Sequence, residues 1–143
     1  MTLPDEKTKR FIAVLNKKAP IGSLMNALGH ATAGLVGGAS DREQFCFLQY
    51  HDADGGLHPN ISHYGFIILK ADNSNKLRSL RQQAIEEGIL YGDFTQSMTI
   101  GTSQEQQDDT AATAEADLEY YAVVLFGDSE QLAPLTRKFS LYS

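Results

Sequence analysis

Gly22, Ser23 and Asn26 open an expected helix, and Asp93 ends an expected strand. Backbone amides at a helix start lack intrahelical partners and attract anions. Gly22 and Ser23 would supply such amides, Asn26 would orient a ligand, and Asp93 would act as base or hydrogen-bond acceptor. A plainer reading has Ser23 capping the helix, Asn26 satisfying a loop carbonyl and Asp93 closing a turn. Lys17 and Lys18 precede the helix, where either could reach back and add positive charge to the site. The functional reading stays in play because ligands of α/β sheets gather at strand ends. His30 lies nearly two turns deeper, among small residues. A histidine titrates or catalyses only with a partner, so packing is expected there.

A second group is His51, Asp52, Asp54, His58 and His63. Imidazole and carboxylate suit zinc and similar ions. Their spacing matches no closed motif, and Asp52-Ala53-Asp54-Gly55-Gly56 lacks the third oxygen ligand of a calcium loop. A polar turn between strands is expected instead, with no metal. Cys46 alternates with Phe45 and Phe47, a pattern of core packing rather than of an exposed, electropositive thiol. Tyr120 and Tyr121 read as sheet-face packing beside Val123 and Val124, not as a stacking surface for bases. No phosphate-binding glycine loop, dinucleotide fingerprint or serine-hydrolase elbow is present, so no cofactor is expected.

These residues are positioned by alternating strands and helices. Residues 10–15 (RFIAVL) read as a buried first strand. From Ile21 the period changes, with Leu24, Met25, Leu28, Thr32, Leu35 and Val36 at helical spacing. The small residues Ala27, Gly29, Ala31, Ala33 and Gly34 predict close approach of this helix to a sheet, and Gly37 and Gly38 its end. Residues 45–50 read as a second strand, 52–56 as a turn, 58–64 as irregular and 65–70 as a third, central strand. Asp72, Asn73 and Ser74 all suit the N-cap of a second helix carrying Leu77, Leu80, Ala84 and Ile85, which Gly88 stops. A fourth strand follows at 89–94. Residues 101–119 read as a surface loop with a helical turn near 111–116, and 120–126 as the last clear strand. Gly127, Asp128 and Ser129 cap a final helix that Pro134 must start or kink, and residues 139–142 return to extended form. The alternation predicts one α/β domain: a three-layer α/β/α sandwich around a mixed, mostly parallel sheet of four to five strands.

A chain of 143 residues can bury one core without staples. Its apolar runs, 66–69 and 122–126, fall far below the roughly 18 residues of a membrane span. The start, MTLPDEKTKR, has no apolar run of the export type, and Cys46 is the only cysteine. A reducing, cytoplasmic setting is therefore expected. The net charge is −6. Lys7, Lys9, Arg10, Lys17 and Lys18 cluster early, whereas Glu105, Asp108, Asp109, Glu115, Asp117 and Glu119 fall in a stretch with no base. A nucleic-acid partner calls for a broad basic face and is not expected.

Three strings carry a resemblance: RFIAVLNKKAPIGSLMNALGHATAGL, with its G-x-x-x-N-x-x-x-H-A pattern, GFIILKADNSNKLRSLRQQAIEEGILYGDF, and YYAVVLFGDSEQLAPLTRKFSL. In order and spacing they resemble the type 2 peptidyl-tRNA hydrolase fold, and more closely the domain-of-unknown-function-2000 family, which shares that architecture. The resemblance covers nearly the whole chain. It implies a hydrolase-like site, with Asp93 at the family's acidic position, Ser97 at its threonine and His30-Ala31 at its His-Ala pair, and it implies a homodimer. The hydrolases carry a lysine where Ser23 stands. Without that cation beside the helix end a developing oxyanion loses its main stabiliser, which argues against peptidyl-tRNA cleavage. The expected site is thus catalytic Asp93, Ser97 and Ser23 with ligand-binding Gly22, Asn26, His30 and Lys18, serving an unknown small ligand. The alternative is a non-catalytic protein-binding or oligomerisation module.

Overall fold

The computed structural model describes residues 2–143. The chain runs through β1 (Lys9–Asn16), α1 (Ile21–Gly38), β2 (Phe47–His51), β3 (Leu57–Ser62) and β4 (Gly65–Ala71). It continues through α2 (Ser74–Glu86), β5 (Leu90–Thr95), α3 (Ser103–Ala111), β6 (Tyr120–Asp128), α4 (Ser129–Thr136) and β7 (Ser140–Leu141).

Side chains alternate across β1, so its apolar run feeds both faces of the sheet. Ile12 and Val14 join a core with Leu77, Leu80 and Ala84 of α2 and Leu132 and Leu135 of α4. Phe11, Ala13 and Leu15 join another with Leu24, Ala27, Ala31 and Leu35 of α1.

The main sheet has the order β5-β6-β1-β4-β7. Among the described residues only β1 and β4 pair in parallel; β6 runs against both β1 and β5, and β7 against β4. The sheet is mostly antiparallel, which corrects the expectation of mostly parallel strands. Three helical crossovers do join strands of the same direction: β1 to β4, β4 to β5 and β6 to β7. The β5-to-β6 connection does not cross. α3 (SQEQQDDTA) buries no residue and has no apolar stripe to lay on a sheet, so the chain returns at the edge it left. It then inserts β6 between β5 and β1. A single 3-10 turn at Glu115–Asp117 overlaps the helical turn expected at 111–116, and α3 precedes it, started by Thr102, which accepts from the Glu105 amide in a reciprocal capping box.

β2 and β3 form a separate two-stranded arm, not a sheet strand and an irregular segment. At α2, Asn73 is the N-cap that accepts from Lys76 N–H, and Gly88 follows the end with φ 67°.

The close approach of α1 to the sheet is real, but its glycines do not make it. A Cβ at Gly22, Gly29, Gly34, Gly37 or Gly38 would meet nothing within 4 Å. Contact is made by Ala27 and Ala31, and a Cβ on Gly92 of β5 would sit 2.3 Å from the Ala31 carbonyl oxygen.

Candidate functional site

Asp93 pairs across the ladder with Val123, so both side chains emerge on the α2 face. There Arg81 Nε donates to Asp93 Oδ2 at 2.8 Å. α1 covers the other face, where Phe94 lies under the His30 ring at a centroid distance of 5.5 Å. The sheet therefore separates Asp93 from Gly22, Ser23 and Asn26, and the single hollow expected for them does not form. The expectation failed on parity: Asp93 and Phe94 are neighbours, and consecutive strand residues face opposite ways.

At the α1 start, Pro20 is the N-cap and no side chain caps the helix. Gly22 and Asn26 are exposed and Ser23 half-buried. Ser97 lies beyond β5, its Oγ 2.7 Å from both Thr95 Oγ1 and Thr110 Oγ1, in a hydroxyl chain that ties α3 to the sheet. His30 is exposed apart from its stack on Phe94.

The sequence-predicted Lys18 does line a cavity. β1, β4 and β5 share one direction, and their carboxyl ends bring together Lys18, the Asn73–Asn75 turn and the segment before β6. These residues, with Arg78, Asp117 and Glu119, line a cavity of about 230 Å³. A neighbouring hollow of about 330 Å³ lies on the other side of residues 117–119, toward α3, and includes Ser97. A larger hollow of about 720 Å³ opens between the N-terminal segment and α4. Hydrogen bonds there tie those two together: Ser129 Oγ donates to Lys7 O, and the Ser129 amide donates to Thr8 O. The smaller cavity has the better claim because it sits at strand carboxyl ends, where ligands of α/β sheets gather.

Its frame is built on Asn16, which is only 1% exposed. Asn16 Oδ1 accepts the Lys18 amide at 3.0 Å, and Nδ2 donates to Glu119 Oε1 at 3.2 Å and to Tyr120 O at 3.0 Å. Ser74 Oγ accepts the Tyr120 amide at 2.8 Å. Lys17 pairs with Asp72 at 2.8 Å, and Lys17 first, then Lys76 at 3.6 Å, holds the Asp72 carboxyl below the ordinary range. Among the described residues Lys18 has no ion pair, and neither Asp117 nor Glu119 lies within pairing distance of a cation.

Behind the cavity lies a cluster around Tyr120, a residue whose sequence context predicts only sheet-face packing. The Tyr120 phenol donates to Glu115 Oε2 at 2.6 Å, and Arg78 Nε donates to the same oxygen at 3.1 Å. Arg78 also bonds Asn75 Oδ1 and Leu118 O. The Arg78 and Arg81 guanidinium carbons lie 5.2 and 6.0 Å from the Tyr120 ring centroid. Burial, then the bond to Glu115, pushes the phenol far above its usual range. The signal available in the sequence was Arg78 and Arg81 at helical spacing on the face opposite Tyr120.

Of the His51–His63 group, Asp52 and Asp54 lie in the arm's turn, His51 and His58 in its strands and His63 beyond it. Asp52 Oδ1 accepts from the Asp54 and Gly56 amides, and Oδ2 lies 2.8 Å from His58 Nε2. His63 Nε2 lies 2.7 Å from Pro4 O. Among the described residues no three His, Cys, Asp or Glu side chains converge as a metal site would require. Cys46 is half-buried against the α1-side core, and Tyr121 packs there too.

A mixed α/β domain with a mostly antiparallel sheet and a polar strand-end cavity is what fold and site define. The chain belongs to the family described as Protein of unknown function (DUF2000), which it matches over residues 9–143. It is similar in fold to the structure of a protein of unknown function, Atu0240, from Agrobacterium tumefaciens strain C58. The two are 14% identical, with a TM-score of 0.80 over 95% of this chain and 98% of that one. No curated protein matches the chain. No helix among the described residues is long and apolar enough to cross a membrane.

Proposed function

We propose that this chain is a small-ligand-binding domain whose site is the cavity at the carboxyl ends of β1 and β4. One observation carries the reading: Lys18, without an ion pair among the described residues, lines the same cavity as Asp117 and Glu119, on a frame fixed by buried Asn16. The site replaces the one expected at the α1 start, and hydrolysis by Asp93, Ser97 and Ser23 is not part of it. Asp93 is engaged by Arg81 on the α2 face, and Ser97 by Thr95 and Thr110. α1 against one face and α2 and α4 against the other support a three-layer arrangement of the peptidyl-tRNA hydrolase type. The lone cysteine supports a cytoplasmic setting.

A thermal-shift screen of polar metabolites tests the reading. A ligand at about a hundred times its Kd adds roughly 2.7 kcal/mol to stability. Asn75→Trp, which fills the cavity, should abolish the shift, and Ser23→Lys should leave it intact. A ligand that stabilises the Asn75→Trp protein as much as the wild type would place the site elsewhere.

The arm favours a second reading, a module for association with a second copy. Phe47, Tyr50, Leu57, Ile61 and Phe66 are exposed on or beside it, and large apolar side chains grouped on a surface mark association sites.

A further inference from the structure

The charges around the strand-end cavity differ in how they are used. Arg78 is spent on the protein itself, with donors to Glu115, Asn75 and Leu118. Asn73 accepts the Lys76 amide as the α2 cap, and Ser74 accepts the Tyr120 amide. What remains for a ligand is one ammonium, Lys18, and two carboxylates, Asp117 and Glu119, none of them ion-paired among the described residues. Opposite charges lining one small cavity without closing on each other leave room for a molecule that bridges them.

Asn16 anchors both. Its Oδ1 accepts the Lys18 backbone amide and its Nδ2 donates to Glu119 Oε1, so one buried side chain fixes the lysine at its backbone and Glu119 at its carboxylate. A ligand of one charge would meet attraction on one side and repulsion on the other. A ligand carrying both charges meets attraction at each end, and charge-assisted hydrogen bonds are the strong class.

Resting on the binding role proposed above, we infer that the ligand is a small zwitterion: an amino-acid-like molecule with its carboxylate at Lys18 and its ammonium between Asp117 and Glu119. The cavity, about 230 Å³, suits a molecule of that size class. Asn75, whose Oδ1 is taken by Arg78, offers its amide NH2 for the ligand's remaining polar groups.

The test is a backbone-amide NMR titration of the full chain with glycine, γ-aminobutyrate and ε-aminohexanoate, beside n-butyrate and n-butylamine as single-charge probes. At least one zwitterion should move the amides of Lys18, Asn75 and Asp117, with an affinity about tenfold or more above either single-charge probe, equivalent to roughly 1.4 kcal/mol. Lys18→Met and Asp117→Asn, both at exposed positions and so compatible with folding, should each erase that advantage while leaving thermal stability intact. If n-butyrate or n-butylamine moves the same amides with equal affinity, the site survives and the zwitterion assignment falls. If no probe moves them, or the zwitterion's advantage persists in both variants, the assignment also falls. A polar metabolite that stabilises the wild type but not Asn75→Trp would in that case leave the binding role standing.

Discussion

Glu115 Oε2 accepts from two donors at once, the Tyr120 phenol and the Arg78 guanidinium, and both favour the ionised carboxylate. The Tyr120 bond is the larger cause of its lowered pKa, with Arg78 adding to it and slight burial opposing. A carboxyl whose pKa is lower in the folded state stabilises the fold above its unfolded value, roughly pH 4.3, and loses that contribution as pH falls through the folded value. Glu115→Gln should therefore be less stable than the wild type at neutral pH, and the gap should close below about pH 4. The Glu115 side chain is half exposed, so screening holds the gap to about 1 kcal/mol or less. Tyr120→Phe should shrink the acid-dependent part in the same direction, since it removes the principal cause. Urea unfolding from pH 3 to pH 7 checks both. A pH-independent difference for Glu115→Gln would mean that the carboxylate does not sense these partners in solution.

Between elements, the contact that distinguishes this sheet is α1 lying on β5 at Gly92. A Cβ there would stand 2.3 Å from the Ala31 carbonyl oxygen, and neither backbone can yield cheaply. Gly92→Ala should destabilise the protein by about 1–3 kcal/mol, as overpacking does. Gly34→Ala, inside α1 with nothing within 4 Å of the new methyl, should act in the opposite direction, stabilising by about 0.5–1 kcal/mol. Thermal unfolding of the pair reads both signs; a stabilised Gly92→Ala would show that α1 sits farther out than described. The same pair shows what the sequence disclosed. Small residues announced that α1 comes close to a sheet, but the contacting carbonyl belongs to Ala31 and the permissive glycine lies 61 positions later on a strand, a pairing that no local pattern encodes. The α2 caps, strand 65–70 and strand β6 were legible because propensity and periodicity are local. The insertion of β6 between β5 and β1 was only half legible: the apolar-poor SQEQQDDTA stretch disqualified α3 as a crossover, but strand order depends on long-range pairing. The site failed for a related reason. Strand alternation placed Asp93 on the face away from α1, whereas Lys18 was reachable from the sequence because it directly follows a strand end.

On the scale of the whole molecule, the arm of β2 and β3 is the part least accounted for by a lone chain. Two strands by themselves are marginally stable in water. This pair is tied to the body by an aromatic run in which Phe11 stacks on Phe45 at 5.6 Å and on Phe66 at 5.2 Å, and Phe45 meets Phe47 at 5.7 Å. Pro59 and a register break blunt the β3 edge. The adjoining edge of β4 has no such guard: β7 pairs only with Leu69 and Lys70, leaving Gly65 to Ile67 without a strand on that side among the described residues. An open edge beside exposed Phe47, Leu57, Ile61 and Phe66 suits a two-fold partner presenting the same surface, since isologous pairing satisfies both edges at once. Light scattering across a dilution series should then return twice the 15.7 kDa chain mass, with dissociation at low concentration. A stable dimer needs about 800 Å² from each partner. Leu57→Lys with Ile61→Lys, which charges the arm at two exposed positions, should shift the population to monomer without lowering the unfolding midpoint of the isolated chain. A wild-type mass of 15.7 kDa at every concentration would remove the second copy and leave the arm's apolar surface for a different partner.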